Sequence, residues 1–465
     1  MYPLLYTNTI LMRIFITVII NNNFVTTYLD HKKSKEVDKM EYRKDMKNKS
    51  VIITCIDLLK KITKWIILSV IMGGAVGIVV GCFNLILKWA NDYRRDHNYL
   101  VYFLPFAGIA IAYMYVKVKR NAYSGENLLK SEVQRAARDI PFYMILVVFA
   151  GSLATTFFGG SAGKEGSGVA MGGTFGDFLS RKLKLNKAEQ RTLVISGVGS
   201  TFGVIYDIPF AGAILGMELV IKGNFNYESL IPAFLTSVIA NKVSNLIGNK
   251  PIEYIQLDLG ELNFLLLFKI IILGLLFGLV GMLFNFILDN SSKVYDLFIK
   301  NPLAKGFAGG VITILLCWML GDNYNGLGQK TISAAFETKA GILVFFWKIL
   351  FTGVALGSVF QGGRGNPAFF VGATFGSALS DFIRLPVESV PALGMMGVFC
   401  SAQSLPLTAT AMSIEYFGSN EIMSIILIMT ISYSVSGFYD ILTKRKLTNG
   451  KSALFKSIYE NISTK

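Results

Sequence analysis

The feature that most limits how this chain can fold is the repeated return of apolar runs of bilayer-crossing length. Residues 65–87, 140–158, 262–288 and 341–361 approach or exceed that length, and 422–435 is a shorter fifth run. A helix needs about 20 apolar residues to cross the hydrocarbon core. With no water at that depth each backbone amide must be satisfied inside the protein, which a helix does within its own segment. Composition agrees: 52% of the 465 residues are hydrophobic and only 16% are charged, against about a quarter charged in soluble domains. The chain reads as an all-α polytopic membrane protein. A large soluble enzyme with buried helices would need far more polar surface.

The formal net charge is +15. In a soluble chain that would suggest nucleic acid, but the Lys and Arg here fall between the apolar runs and at the ends. That is the pattern of cytoplasmic loops under the positive-inside bias, and no nucleic-acid partner is expected. Cys55, Cys82, Cys317 and Cys400 have no metal-like spacing, and three of them sit inside apolar runs. They read as small buried hydrophobes, with neither a metal site nor a disulfide framework. His31 and His97 are the only histidines and lie away from the glycine motifs described next, so proton chemistry must rest on carboxylates. No cofactor motif and no enzyme constellation is present.

One stretch stands out between the runs: Gly163-Lys164-Glu165-Gly166-Ser167-Gly168, then Val169-Ala170-Met171-Gly172-Gly173-Thr174-Phe175-Gly176. It is not a phosphate loop, because Glu165 follows Lys164 where a Ser or Thr is needed and no strand precedes it. A similar stretch returns as Gly363-Arg364-Gly365-Asn366-Pro367 with Val371-Gly372-Ala373-Thr374-Phe375-Gly376. At an offset of 200, Gly163, Gly172, Thr174, Phe175, Gly176, Leu179 and Ser180 all recur. At an offset of 197, Pro209 and Glu218 match Pro406 and Glu415. Two copies of one unit, interrupted by Gly and Pro at corresponding places, point to a transporter's binding site. The residues alone leave open whether the copies run parallel or inverted.

This repeat sets the expected organisation: a cytoplasmic amino-terminal extension over 1–63, a first transmembrane repeat over 64–247, a linker at 248–261, a second repeat over 262–446 and a cytoplasmic tail at 447–465. Within the extension, the apolar stretch from Ile10 to Ile20 is broken by Arg13 and is too short to span.

The breaks carry the chemistry. A helix that starts inside the membrane leaves its first amides unpaired and bears about half a positive charge there. Glycines expose those amides, so several such starts aimed at one point would hold an anion without a full cation. Three starts of this kind are expected, after Ser124-Gly125, after Gly163–Gly166 and after Gly363–Pro367. Glu165 would sit where the anion belongs, blocking it when ionised and carrying a proton when neutral. A glycine-rich membrane stretch can equally be packing, but a carboxylate plus an internal copy favours binding. Glu218 and Glu415 read either as further proton carriers or as structural acids bonded to nearby amides. Lys164 and Arg364 either line an entrance or snorkel to the interface. Tyr439 could serve the site or an interfacial belt.

These residues suffice for a resemblance. Gly163-Lys164-Glu165-Gly166-Ser167 resembles the gating-glutamate motif G-[KR]-E-G-P of the CLC chloride channels and anion/proton antiporters. Gly362-Gly363-Arg364-Gly365-Asn366-Pro367 with Gly372-Ala373 is similar to their G-G-x-F-x-P…G-[AT] motif, and Tyr206-Asp207-Ile208-Pro209-Phe210-Ala211-Gly212 to their F-N-A-P-L-A-G segment. The resemblance spans roughly 60–446 and implies a CLC-like fold of two inverted repeats with broken re-entrant helices. It also implies a homodimer with one pore per subunit, with the anion between helix starts, Tyr123 or Ser124, and Tyr439. Several departures are notable: Tyr123-Ser124-Gly125-Glu126-Asn127 for G-S-G-I-P, Ser167 for Pro, Gly365-Asn366 for Phe and a small residue, and Leu219 in the place of the inner proton-transfer glutamate. This set is similar to the fluoride/proton antiporter branch. Fluoride is small and tightly hydrated, so shedding its water demands extra donors, and the Asn366 amide is a candidate unless it caps its own helix.

The resulting expectation is a fluoride/proton antiporter in the plasma membrane of a prokaryote, with a chloride/proton exchanger or passive chloride channel of the same fold as the alternative. A non-transporting scaffold fits the paired motifs and Glu165 poorly. The expected anion-binding residues are Tyr123, Ser124, Gly125, Gly163, Lys164, Gly166, Ser167, Gly363, Gly365, Asn366, Pro367 and Tyr439, with Glu165, Glu218 and Glu415 as the acids.

Overall fold

A computed structural model describes residues 51–118, 141–220, 227–249, 256–261 and 263–442. The chain falls into two units, Met1–Trp65 and Ile66–Lys465, and the helical breaks all lie in the second.

The described residues form fifteen α-helices. In the first half these are α1 (Val51–Asp96), α2 (Leu104–Lys117), α3 (Met144–Phe157), α4 (Glu165–Lys182), α5 (Lys187–Tyr206), α6 (Pro209–Val220) and α7 (Leu230–Ile247). The second half holds α8 (Phe264–Phe298), α9 (Pro302–Leu320), α10 (Gln329–Glu337), α11 (Val344–Gly357), α12 (Gly365–Ile383), α13 (Ser389–Gln403), α14 (Pro406–Phe417) and α15 (Ile422–Leu442). Among the described residues, five stretches are long and apolar enough to cross a membrane: Ile56–Asp96, Asn98–Lys117, Tyr227–Ile247, Phe264–Phe298 and Pro302–Leu320.

Two of the apolar runs do not become full spans. Residues 140–158 and 341–361 yield α3 and α11, each of 14 residues. At about 1.5 Å per residue such helices cover only about two thirds of the hydrocarbon core. The run overstates the helix because hydrophobicity continues into the turns at each end, including the glycine break itself. Cys317 and Cys400 are buried as expected, but Cys82 lies on an exposed face of α1.

Helices α1–α7 pair in order with α8, α9 and α11–α15, and α10 has no counterpart among the described residues. α6 and α14 each have 12 residues, and α4 and α12 have 18 and 19. The non-glycine residues with left-handed backbone fall into two equivalent pairs among the described residues: Lys184 with Arg384, and Asp207 with Ser404. A Cβ at Gly73 of α1 would stand 2.9 Å from Ile239 Cβ on α7, and one at Gly274 of α8 would stand 2.9 Å from Ile431 Cβ on α15. The copies are inverted, and a backbone contact shows how they meet. Gly163 and Gly363 form an isolated antiparallel bridge in which each donates to the other, at 2.9 and 2.7 Å. Equivalent residues that exchange hydrogen bonds in this way lie across a local two-fold axis.

Small residues let the helices next to that axis approach backbone to backbone. α4 crosses α5 where Gly172 faces Gly197, and α12 crosses α13 where Gly372 faces Gly394. A Cβ at Gly372 would fall on the Gly394 carbonyl oxygen, which belongs to backbone and has no rotamer to escape by. Gly372→Val is therefore expected to destabilise the protein by about 1–3 kcal/mol or more. Thermal unfolding in detergent, followed by size exclusion, should show a lowered transition for it and for Gly172→Val, while a wild-type transition in both would contradict this packing.

Candidate anion site at the repeat axis

The bridge between Gly163 and Gly363 brings two helix starts together. α4 begins at Glu165 and α12 at Gly365, and their N-cap residues, Lys164 and Arg364, provide no side-chain cap. The first amides of both helices therefore need acceptors from elsewhere in the fold.

Glu165 supplies one. It is only 5% exposed, and its Oε1 accepts from the backbone N–H of Asn366 and from the hydroxyl of Tyr206, the last residue of α5. Its Oε2 is buried with no hydrogen-bond partner among the described residues. The carboxylate lies in a cradle of three glycines: a Cβ at Gly163 or Gly363 would fall on Oε2, and one at Gly365 would stand 3.1 Å from Cδ. Gly166 is confined differently, because a Cβ there would come within 3.0 Å of the Gly362 carbonyl. The Ser167 hydroxyl bonds to that of Ser152, tying α4 to α3 rather than reaching the carboxylate. Pro367 is buried in the first turn of α12.

Asn366 does not cap its own helix. Its Nδ2 donates to the Leu327 carbonyl at 2.5 Å. Leu327 is itself anchored, with its N–H on Asn91 Oδ1 at 3.3 Å. The buried Lys348 ammonium holds the neighbouring carbonyls of Tyr324 and Gly326 at 2.9 and 2.8 Å. Lys164 does not snorkel. It is buried, its Nζ donates to Asn84 Oδ1 at 2.6 Å, and it sits 5.7 Å from the centre of the Tyr206 ring. Arg364 pairs with Asp289 at 3.1 Å.

Two cavities flank this arrangement. One, of about 530 Å³, is lined by Asn84, Lys88, Lys164, Tyr206 and Asn366, among others. The second is an apolar space of about 30 Å³ lined by Glu165, Val169, Phe202, Leu219 and Phe399. Lys164, Tyr206 and Asn366 line the larger space and Glu165 lines the smaller, so the Glu165 carboxylate stands between them.

Glu218 and Glu415 lie elsewhere. Glu415 of α14 accepts from Phe210 N at 3.0 Å and Ala211 N at 2.7 Å, the first turn of α6. Reciprocally, Glu218 of α6 accepts from Leu407 N at 3.1 Å, Thr408 N at 2.8 Å and Thr408 Oγ1 at 2.6 Å, the first turn of α14. Tyr123, Ser124 and Gly125 lie outside the described residues. Tyr439 falls on the last turns of α15, and its side chain is likewise outside them. Sequence reasoning passed over Tyr206. Its signal was a hydroxyl added where the resembling motif carries Phe.

Comparison with known proteins agrees with this geometry. Residues 106–437 match the family described as voltage gated chloride channel. A chloride/fluoride channel protein of Pseudomonas syringae pv. tomato is 30% identical over 404 residues, covering 85% of this chain and 89% of that protein. An H(+)/Cl(-) exchange transporter, ClcA, of Klebsiella pneumoniae is 26% identical, covering 75% of this chain and 80% of that protein. Among solved structures, a CLC-type fluoride/proton antiporter superposes with a TM-score of 0.78 at 30% identity, covering 81% of this chain and 96% of that one. An inverted pair of broken-helix repeats, closed by a glycine bridge around a buried glutamate, together with these matches makes the chain a member of the voltage gated chloride channel (CLC) family, a multi-pass membrane transporter of anions.

Proposed function

We propose that the protein is a fluoride/proton antiporter that exports fluoride across a bacterial plasma membrane, working as a homodimer with a pore in each subunit and with Glu165 as gate and proton carrier. The observation that carries this reading is the seat of Glu165: one carboxylate oxygen on the Asn366 amide and the Tyr206 hydroxyl, between a large cavity of mixed lining and a small apolar one. The ionised carboxylate holds these donors through charge-assisted bonds. Protonation removes the charge that makes it the stronger acceptor, and the freed donors then accept an anion. One group thereby couples proton entry to anion exit.

Selectivity for fluoride is supported by the fluoride named in the bacterial relative and in the solved antiporter at 30% identity. In proteoliposomes, wild-type protein should release fluoride at least about tenfold faster than chloride, a barrier difference of about 1.4 kcal/mol. Equal rates would favour the chloride/proton exchange of the Klebsiella relative. Glu165→Gln should abolish uphill proton movement driven by a fluoride gradient, and retained coupling would mean that another acid carries the proton.

We assign Glu218 and Glu415 to helix capping across the two repeats rather than to proton transfer, because each already serves two backbone amides of the opposite copy. Removing either acceptor leaves helix-start donors unpaired that are buried only in part, at a cost of about 1 kcal/mol. Glu415→Ala should thus lower thermal stability in detergent while the surviving folded fraction keeps its proton-to-fluoride ratio. A changed ratio with unchanged stability would restore Glu415 as a proton carrier.

A further inference from the structure

Tyr206 is fixed more firmly than a gate contact requires. Its ring packs edge-on against Phe202 and Phe369, with centroids 4.9 and 5.2 Å away. Its carbonyl accepts the Tyr416 hydroxyl at 2.8 Å. The next residue, Asp207, turns into the left-handed region at φ 57°, and its Oδ1 is held by Asn241 Nδ2 at 2.6 Å and Asn245 Nδ2 at 3.1 Å. Backbone and ring together aim the hydroxyl at the spot to which the Asn366 N–H also points, now filled by Glu165 Oε1. Both residues line the cavity of about 530 Å³, while Glu165 lines the smaller one, so the two donors face the carboxylate from the side of the larger space.

We infer that the Tyr206 hydroxyl is a specificity-determining donor: it donates to the anion that takes the place of Glu165 Oε1, and it favours fluoride over chloride there. This rests on the fluoride-transport reading above. A phenolic hydroxyl has one proton to donate, so it serves the carboxylate or the anion and never both. Fluoride is the stronger hydrogen-bond acceptor of the two halides, so a fixed hydroxyl gives it the larger gain. The packed ring is already ordered, and little entropy is lost when the anion arrives. Lys164, 5.7 Å from the ring centre and bonded to Asn84, keeps positive charge beside the position.

The test uses the full chain in detergent and in liposomes. In a Glu165→Ala background, which removes the competing carboxylate, fluoride and chloride Kd are measured by titration calorimetry with and without Tyr206→Phe. Loss of the hydroxyl should weaken fluoride binding at least about tenfold, the low end for a hydrogen bond to a charged group. Chloride binding should change much less and serves as the check on folding. With Glu165 intact, Tyr206→Phe should lower the fluoride-to-chloride flux ratio while chloride flux persists. An unchanged fluoride Kd, or an equal loss for both anions, overturns the inference. If wild-type protein shows no fluoride preference, the fluoride-transport reading itself fails. A wild-type preference that Tyr206→Phe leaves intact sinks only the role of Tyr206.

Discussion

The architecture depends on how a membrane-embedded helix start is satisfied by the opposite repeat. At this depth an amide without a partner costs several kcal/mol, and α4, α6, α12 and α14 all begin at a break flanked by Gly or Pro. The remedy is reciprocal throughout. Gly163 and Gly363 pair with each other, Glu415 takes the start of α6, Glu218 takes the start of α14, and Glu165 takes an amide of α12. The three carboxylates thus share one interaction, an acid from one copy on the amino end of a helix from the other, where the helix dipole also favours negative charge.

What separates them is how completely each is used. Glu218 and Glu415 bind with both oxygens, and a carboxylate held at both ends has little reason to leave. Among the described residues Glu165 binds other elements through Oε1, its Oε2 has no hydrogen-bond partner, and small residues surround it. The same interaction thus uses both carboxylate oxygens in two places and one in the third, which is the difference the proposed roles rest on. Room is part of that difference, because the first atom of any side chain at Gly365 would press on the Glu165 carboxyl carbon.

The sequence made the fold class, the duplication and the central residues legible, because each leaves a local trace. Glycine runs at an offset of 200 and Pro–Glu pairs at an offset of 197 expose the repeat, and a lone acid among glycines exposes Glu165. Helix lengths were less legible, since hydropathy does not distinguish α3 and α11 from the apolar turns that bound them. The partners of Glu218 and Glu415 were hidden because they lie about two hundred residues away, beyond any periodicity. Tyr206 was hidden for a related reason: its hydroxyl gains meaning only once the end of α5 is folded onto the start of α4. Asn366 was half visible. Its side-chain amide was expected to serve the anion or to cap its own helix, yet it found the Leu327 carbonyl, in a segment that no motif marks, while its backbone N–H meets Glu165.

The symmetry of the scaffold and the asymmetry of its chemistry are both needed. The local two-fold places equivalent residues around one axis, so a carboxylate in both copies would set two like charges at one buried point, where at most one could stay ionised. The chain avoids this by placing Gly365 opposite Glu165, Asn366 opposite Gly166, and Gln403 opposite Tyr206. One copy contributes the acid and the hydroxyl, and the other contributes space and an amide. Tyr206 lines the larger cavity and Gln403 the smaller, so the two faces of the axis differ chemically although their backbones match. A duplicated fold thereby acquires two chemically distinct faces, which an anion transporter between unlike compartments can use to tell one side from the other.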